Sequence, residues 1–124
     1  MTVSLVQMDI AWESPGVNRD TAERLMLSAE KSDIYVLPEM WNTGVTTQPM
    51  GVAEGENGET LQWMQKMANQ LDAAIAGSVA IKASDGTYRN RLYFVKPSVV
   101  CCPILRQASP LLLWWRDGAL HAWR

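Results

Sequence analysis

Apolar positions along the chain fall into two rhythms that take turns. Val3 to Met8 is a short apolar run ending at Asp9 and predicts a strand. Between Val17 and Lys31, Ala22, Leu25, Met26 and Ala29 recur at three- and four-residue spacing, which places them on one helix face. Pro15 and Gly16 stand just ahead as breakers. Ile34 to Leu37 is unbroken apolar sequence and predicts a buried strand, which Pro38 and Glu39 stop abruptly. Thr43 to Gly58 holds four glycines and one proline and predicts an irregular loop. A second helix follows, with Leu61, Met64, Ala68 and Leu71 on its apolar face and Asn57 or Thr60 as its cap. Ala73 to Val79 is a strand of small residues, Ser84-Asp85-Gly86-Thr87 a turn, and Arg91 to Lys96 the returning strand. The order βαβαββ predicts an α/β layered fold.

Composition narrows the field. A chain of 124 residues is one domain or part of one. The formal net charge is -2 with both signs interspersed, so there is no basic stripe for nucleic acid and no polybasic patch for a membrane surface. No segment is long enough to span a bilayer, and Met-Thr-Val-Ser-Leu-Val-Gln lacks the basic start of a secretory leader; a cytoplasmic protein is expected. Cys101 and Cys102 are adjacent, which makes no disulfide framework, and His121 is the only histidine. A His-based zinc site or a Ser-His-Asp triad has almost no raw material, and no metal or cofactor is expected.

The acid at the end of the apolar strand is the chemical feature. Ligands bind at strand ends in α/β sheets, because loops there present side chains over a rigid platform. A carboxylate half-sunk at such a place would have its charged form disfavoured and would suit general-base work, whereas a solvated loop acid would do nothing. The block Val36-Leu37-Pro38-Glu39-Met40-Trp41-Asn42-Thr43-Gly44 decides between these. Together with the strand around Gln7, the Ala74–Ala80 strand and Tyr88-Arg89-Asn90-Arg91-Leu92-Tyr93-Phe94-Val95-Lys96-Pro97-Ser98, it resembles the nitrilase superfamily of carbon–nitrogen hydrolases. Within that superfamily it is most similar to the omega-amidase-like bacterial branch. The resemblance runs in order from about Val3 to Ser98.

The resemblance implies the N-terminal half of a four-layer αββα sandwich, an incomplete α/β unit whose intact relatives pair as homodimers and act on a small amide substrate. It implies a Glu-Lys-Cys triad: cysteine attacks the amide carbon, glutamate is general base and acid, and lysine stabilises the oxyanion. Glu39 matches the glutamate. Trp41 falls where the family has an aromatic near its substrate pocket, a position that core packing explains equally well. Asn90 matches an asparagine expected to hold the catalytic residues or backbone in place. Gly77 is expected to let the sheet pack closely rather than to touch substrate. Two rival readings are a non-catalytic partner that pairs with an intact homologue through its helix face, and an unrelated small ligand-binding domain. Met8-Asp9-Ile10-Ala11-Trp12 offers the second no phosphate-cradling glycine loop.

The family's next block, Tyr-Asp-Lys-Arg-His-Leu-Phe with the catalytic lysine, is missing, and so is the later Cys-Tyr-Asp block with the nucleophile. Lys96 lies in the preceding strand and does not match; Cys101-Cys102-Pro103 lies too early and lacks the Tyr-Asp. After Ser98 the chain has no Lys, Glu, Asn, Met or Tyr, yet it holds three tryptophans, both cysteines and the only histidine. Leu111 to Trp115 is an apolar block with no period of helix or strand. Joining the last two bases of each codon to the first of the next explains this break. From Ile104 to Leu112 the genetic code then permits Tyr-Tyr-Asp-Lys-Arg-His-Leu-Phe. Trp114-Trp115-Arg116 forces Gly-Gly, and Leu120 to Arg124 permits Tyr-Thr-Pro before a forced Gly. We therefore divide the chain into residues 1–98, part of a carbon–nitrogen hydrolase domain, and residues 99–124, an out-of-frame tail behind a one-base shift between about Ser98 and Pro103.

Sequencing the coding DNA across the codons for Lys96 to Arg106 tests the division. The expected result is codons whose shifted frame spells Tyr-Asp-Lys-Arg; codons that spell anything else there make the tail a genuine extension.

Overall fold

A computed structural model describes residues 1–98 and the backbone of two further strand segments, 113–116 and 119–122. The elements run β1 (Val3–Leu5), α1 (Pro15–Ser28), β2 (Ile34–Val36), a 3-10 turn at Pro49–Gly51, α2 (Glu59–Leu71), β3 (Ala74–Lys82), β4 (Tyr88–Val95), β5 (Leu113–Arg116) and β6 (Ala119–Ala122). They form one sheet in sequential order, β1-β2-β3-β4-β5-β6. β1, β2 and β3 are parallel, joined by the two helical crossovers, and β3–β4 is an antiparallel hairpin. β5 runs antiparallel to β4, with Trp115 opposite Tyr88 and Trp114 opposite Arg89, and β6 returns antiparallel to β5. The expected order βαβαββ is therefore the order of the first six regular elements. Cys101 and Cys102 lie outside the described residues.

Both helices lie on one face of the sheet. Tyr35, Ile75, Val79, Ile81, Tyr93 and Val95 point to that face and form one apolar cluster with Ala22 and Met26 of α1 and Leu61, Met64, Met67 and Ala68 of α2. Cross-strand partners share a face, so Val3, Ile34 and Ala74 line the opposite side, as do Leu5, Val36, Ala76 and Phe94. There Val3 is 46% exposed and Leu5 78%. One sheet and one helix layer are thus described, an incomplete version of the four layers the resemblance implies.

Element ends depart from the sequence expectations for physical reasons. α1 includes Pro15 at its first position instead of starting after it, because a first-turn residue needs no backbone N–H and proline's fixed φ suits the helix. It ends at Ser28, and the expected face residue Ala29 is extended and exposed. α2 is capped by neither Asn57 nor Thr60: Gly58 is its N-cap, and the free Thr60 N–H donates to Glu54 Oε1 at 2.9 Å, so the cap comes from the preceding loop. β1 stops at Leu5 rather than Met8, while β3 runs to Lys82 and β4 begins at Tyr88 because the Ser84–Thr87 turn closes them tightly. Gly86 takes φ +83 in that turn, and Asp85 Oδ1 accepts the Thr87 N–H at 2.9 Å.

Gly77 is the closest approach in the core. A Cβ there would sit 2.9 Å from Trp41 Cδ1 and Nε1 and 3.0 Å from Leu37 Cβ. Tyr93, directly opposite Gly77, is buried, and its hydroxyl has no hydrogen-bond partner of good geometry among the described residues. Burial pushes the Tyr93 phenol above its ordinary 10.0, against the opposing pull of the nearby Arg91 guanidinium.

Two outcomes follow from this packing. Gly77→Ala costs about 1–3 kcal/mol of stability by overpacking, read as a lower urea midpoint with unchanged slope. The unfolded chain gives up the Tyr93 proton at lower pH than the folded chain does, so this group's ionisation subtracts stability as pH rises past about 10. Tyr93→Phe abolishes that alkaline loss in denaturant melts while changing stability at pH 7 by no more than about 1 kcal/mol.

Candidate active site

Glu39 sits where β2 leaves the sheet, and three neighbouring constraints fix that exit. The Leu37 N–H still donates to Ala76 O at 2.8 Å, continuing the pairing of β2 with β3. Pro38, which follows Val36 on the side of β2 that faces β1, has no N–H to offer there and holds its φ fixed. Two residues on, the Met40 N–H donates instead to the Ser78 hydroxyl of β3, at 2.8 Å and buried. Met40 takes a left-handed φ of +45, and its carbonyl accepts from Thr43 N at 3.1 Å and Gly44 N at 2.7 Å. The chain therefore turns sharply straight after the acid.

The carboxylate is held from the next strand over. Asn90 Nδ2 donates to Glu39 Oε1 at 2.9 Å. An ionised carboxylate only accepts, so the amide nitrogen must be the atom that faces it. Asn90 is 2% exposed, opposite Ala80 on the face that also carries Ser78 and Leu92. Its Oδ1 is buried and has no hydrogen-bond partner among the described residues. Glu39 itself is exposed, not half-sunk as the general-base argument anticipates, and its Oε2 has no protein partner among the described residues. Leu37, Pro38, Glu39, Ser78 and Leu92 line a shallow depression of about 170 Å³. An oriented carboxylate on the wall of such a depression can accept a proton from a group lodged in it.

Trp41 is not brought to this depression. It is fully buried on the helix side of the sheet, stacked at 5.1 Å and 40° on Trp63 and pressed against Gly77. The structure thus unites Glu39 and Asn90 across 51 positions of sequence and places Trp41 in the core. Gly77, as expected, serves close packing.

Two residues escaped the sequence reading. Ser78 is the polar member of a small-residue strand, and the two-residue alternation that groups it with Ala76 and Ala80 was its available signal. Glu54 had none, because it lies in the aperiodic loop. Its backbone bridges to the edge of β3, accepting from Lys82 N at 2.7 Å. Its carboxylate accepts from Thr60 N at 2.9 Å and Asn42 Nδ2 at 3.2 Å, and lies 3.7 Å from Arg19. Asn42 O in turn accepts from Asn18 Nδ2 at 2.8 Å. This buried polar network fixes the chain that follows the acid to both helices. Among the described residues no group of three or more His, Cys, Asp or Glu is placed to hold a metal, and no helix is long and apolar enough to cross a membrane.

A parallel strand thus ends in an acid that an asparagine from the neighbouring hairpin holds. The Carbon-nitrogen hydrolase family profile matches residues 2–101, and the chain belongs to that family. Omega-amidase YafV of Yersinia enterocolitica is 33% identical over 99 residues, covering 78% of this chain and 37% of that protein. The 2-oxoglutaramate amidase of Bacillus subtilis (strain 168) is 35% identical over 95 residues, covering 74% of this chain and 36% of the relative. Among solved structures, XC1258 from Xanthomonas campestris, a CN-hydrolase superfamily protein with an arsenic adduct in its active site, superposes with a TM-score of 0.73 at 35% identity. That match covers 78% of this chain and 37% of the other. The chain spans little more than a third of the length of these relatives.

Proposed function

We propose that this chain is part of an omega-amidase-like hydrolase that cleaves a small amide, the omega-amide of a 2-oxo acid, to the acid and ammonia. The observation that carries the reading is the Glu39 carboxylate held at 2.9 Å by Asn90 at the end of β2, inside the segment that two amidases share. In the reaction, Glu39 takes the proton of a cysteine thiol as its sulfur bonds to the amide carbon. A lysine ammonium stabilises the resulting oxyanion. Glu39 then passes the proton to the departing nitrogen, and the carbon–nitrogen bond breaks to give ammonia and a thioester. Water attacks the thioester, Glu39 takes its proton and returns it to the leaving sulfur, and the acid is released.

The 124-residue chain has no lysine or cysteine at the family's positions, and we assign residues 99–124 to a shifted reading frame. Without a nucleophile to deprotonate, Glu39 gives no turnover, because residues that act as a unit fail together. The purified chain is expected to release no ammonia from 2-oxoglutaramate above the buffer background. The product of the same gene with its frame restored is expected to release it, and Glu39→Gln in that product to lower kcat/KM about 10²–10⁴-fold. A restored product that ignores 2-oxo-acid amides overturns the substrate class. Turnover by the 124-residue chain that is lost with Glu39→Gln overturns the assignment of the missing residues.

A further inference from the structure

Ser78 is the residue through which β3 holds the backbone beyond Glu39. β2 and β3 pair regularly as far as the bond from Leu37 N to Ala76 O, where the backbone ladder between them stops. The next tie between the strands is a side chain, the Ser78 hydroxyl, which accepts the Met40 N–H at 2.8 Å in a buried setting. Met40 needs that tie. As a non-glycine residue at φ +45 it carries backbone strain, which persists only where surrounding contacts fix the conformation. The turn it starts, through Met40 O to Thr43 N and Gly44 N, sets the path of the buried Asn42–Thr43 segment.

Glu39 therefore lies between two fixed points, Pro38 with its locked φ before it and Met40 pinned to Ser78 after it. Asn90 supplies the third point, at the carboxylate. Ser78 lies opposite Leu92, and Ala80 opposite Asn90, so the backbone anchor and the carboxylate anchor are diagonal neighbours on one sheet face. Ser78 also lines the depression beside Glu39 and is 6% exposed. We propose that Ser78 is a positioning residue for the Glu39 carboxylate: its hydroxyl takes over where the β2–β3 backbone ladder stops and holds the Glu39–Met40 backbone so that Glu39 Oε1 meets Asn90 Nδ2.

The inference deepens the hydrolase reading but is tested without turnover, on the 124-residue chain itself, so the two fail separately. Amide hydrogen exchange reads the Met40 N–H, and the pH response of the Asn90 side-chain amide signals reads the contact with Glu39. In Ser78→Ala the Met40 amide is expected to exchange about tenfold faster or more, with core amides of α2 such as Met67 and Ala68 unchanged. The Asn90 signals are expected to lose most of their response to acid. Ser78→Thr, which keeps the hydroxyl, restores both. An unchanged Met40 amide, or an Asn90 response that survives Ser78→Ala, overturns the proposal. So does a wild-type Met40 amide as labile as an exposed one, or a loss of α2 protection in step with Met40, which would make Ser78 a general fold residue.

Discussion

The approach of Trp41 to the bare backbone of Gly77 is the constraint from which the rest follows. Trp41 is the first large side chain after the turn at Met40, and it can reach the helix side of the sheet only if β3 carries no side chain at that point. Once its indole is wedged between β3 and Trp63 of α2, the segment before it has little freedom left. In a regular strand Glu39, two residues earlier, would share the face of Trp41. The left-handed turn at Met40 breaks that alternation, so the tryptophan enters the helix side while the carboxylate meets Asn90 on the other. β3 serves both sides by alternation, with Gly77 beneath the tryptophan and Ser78 beneath the turn.

The polar network behind the acid has a different task. A loop as long as 43–58 has no periodic apolar face to dock it, and burying its backbone without partners would be costly. Glu54 solves both problems together. Its main chain joins the edge of β3, and its carboxylate caps α2 and receives Asn42. Arg19 lies at 3.7 Å from that carboxylate and at 3.2 Å from Glu59, so the partly buried acid is paired as well as hydrogen-bonded. The motif that surrounds Glu39 is therefore mostly architecture: Trp41 wedges, Asn42 links the loop to α1, and the glutamate is its exposed member.

The sequence disclosed what depends on local pattern. The periods of α1 and α2, the unbroken run of β2 and the turn at Ser84–Thr87 all rest on neighbours in the chain, and they fold where expected. Element ends were less legible, since the start of α2 depends on a carboxylate supplied from outside the helix, five residues before it, and the extent of β3 on how tightly its hairpin closes. For the site, Glu39 and Asn90 were legible because a resemblance singled them out. Ser78 was hidden by its ordinariness, as a hydroxyl among alanines acquires meaning only when β2 is laid beside it and the Met40 N–H is seen to reach it. Trp41 was ambiguous because a tryptophan just past a strand end serves packing or binding equally well until its face of the sheet is known.

The residues that orient Glu39 all lie within the segment matched to the carbon–nitrogen hydrolase family, from Pro38 to Asn90. That carboxylate is set by one sheet, one helix layer and a hairpin, and it emerges on the sheet face opposite the helices. That face still carries Val3 and Leu5 in contact with water, an apolar surface with the character of a buried layer rather than of a boundary. Covering it would enclose the depression beside Glu39 and strengthen every charge interaction within it, because the effective dielectric falls as water is excluded. The same burial that would complete the fold would therefore change the setting of the Glu39 carboxylate.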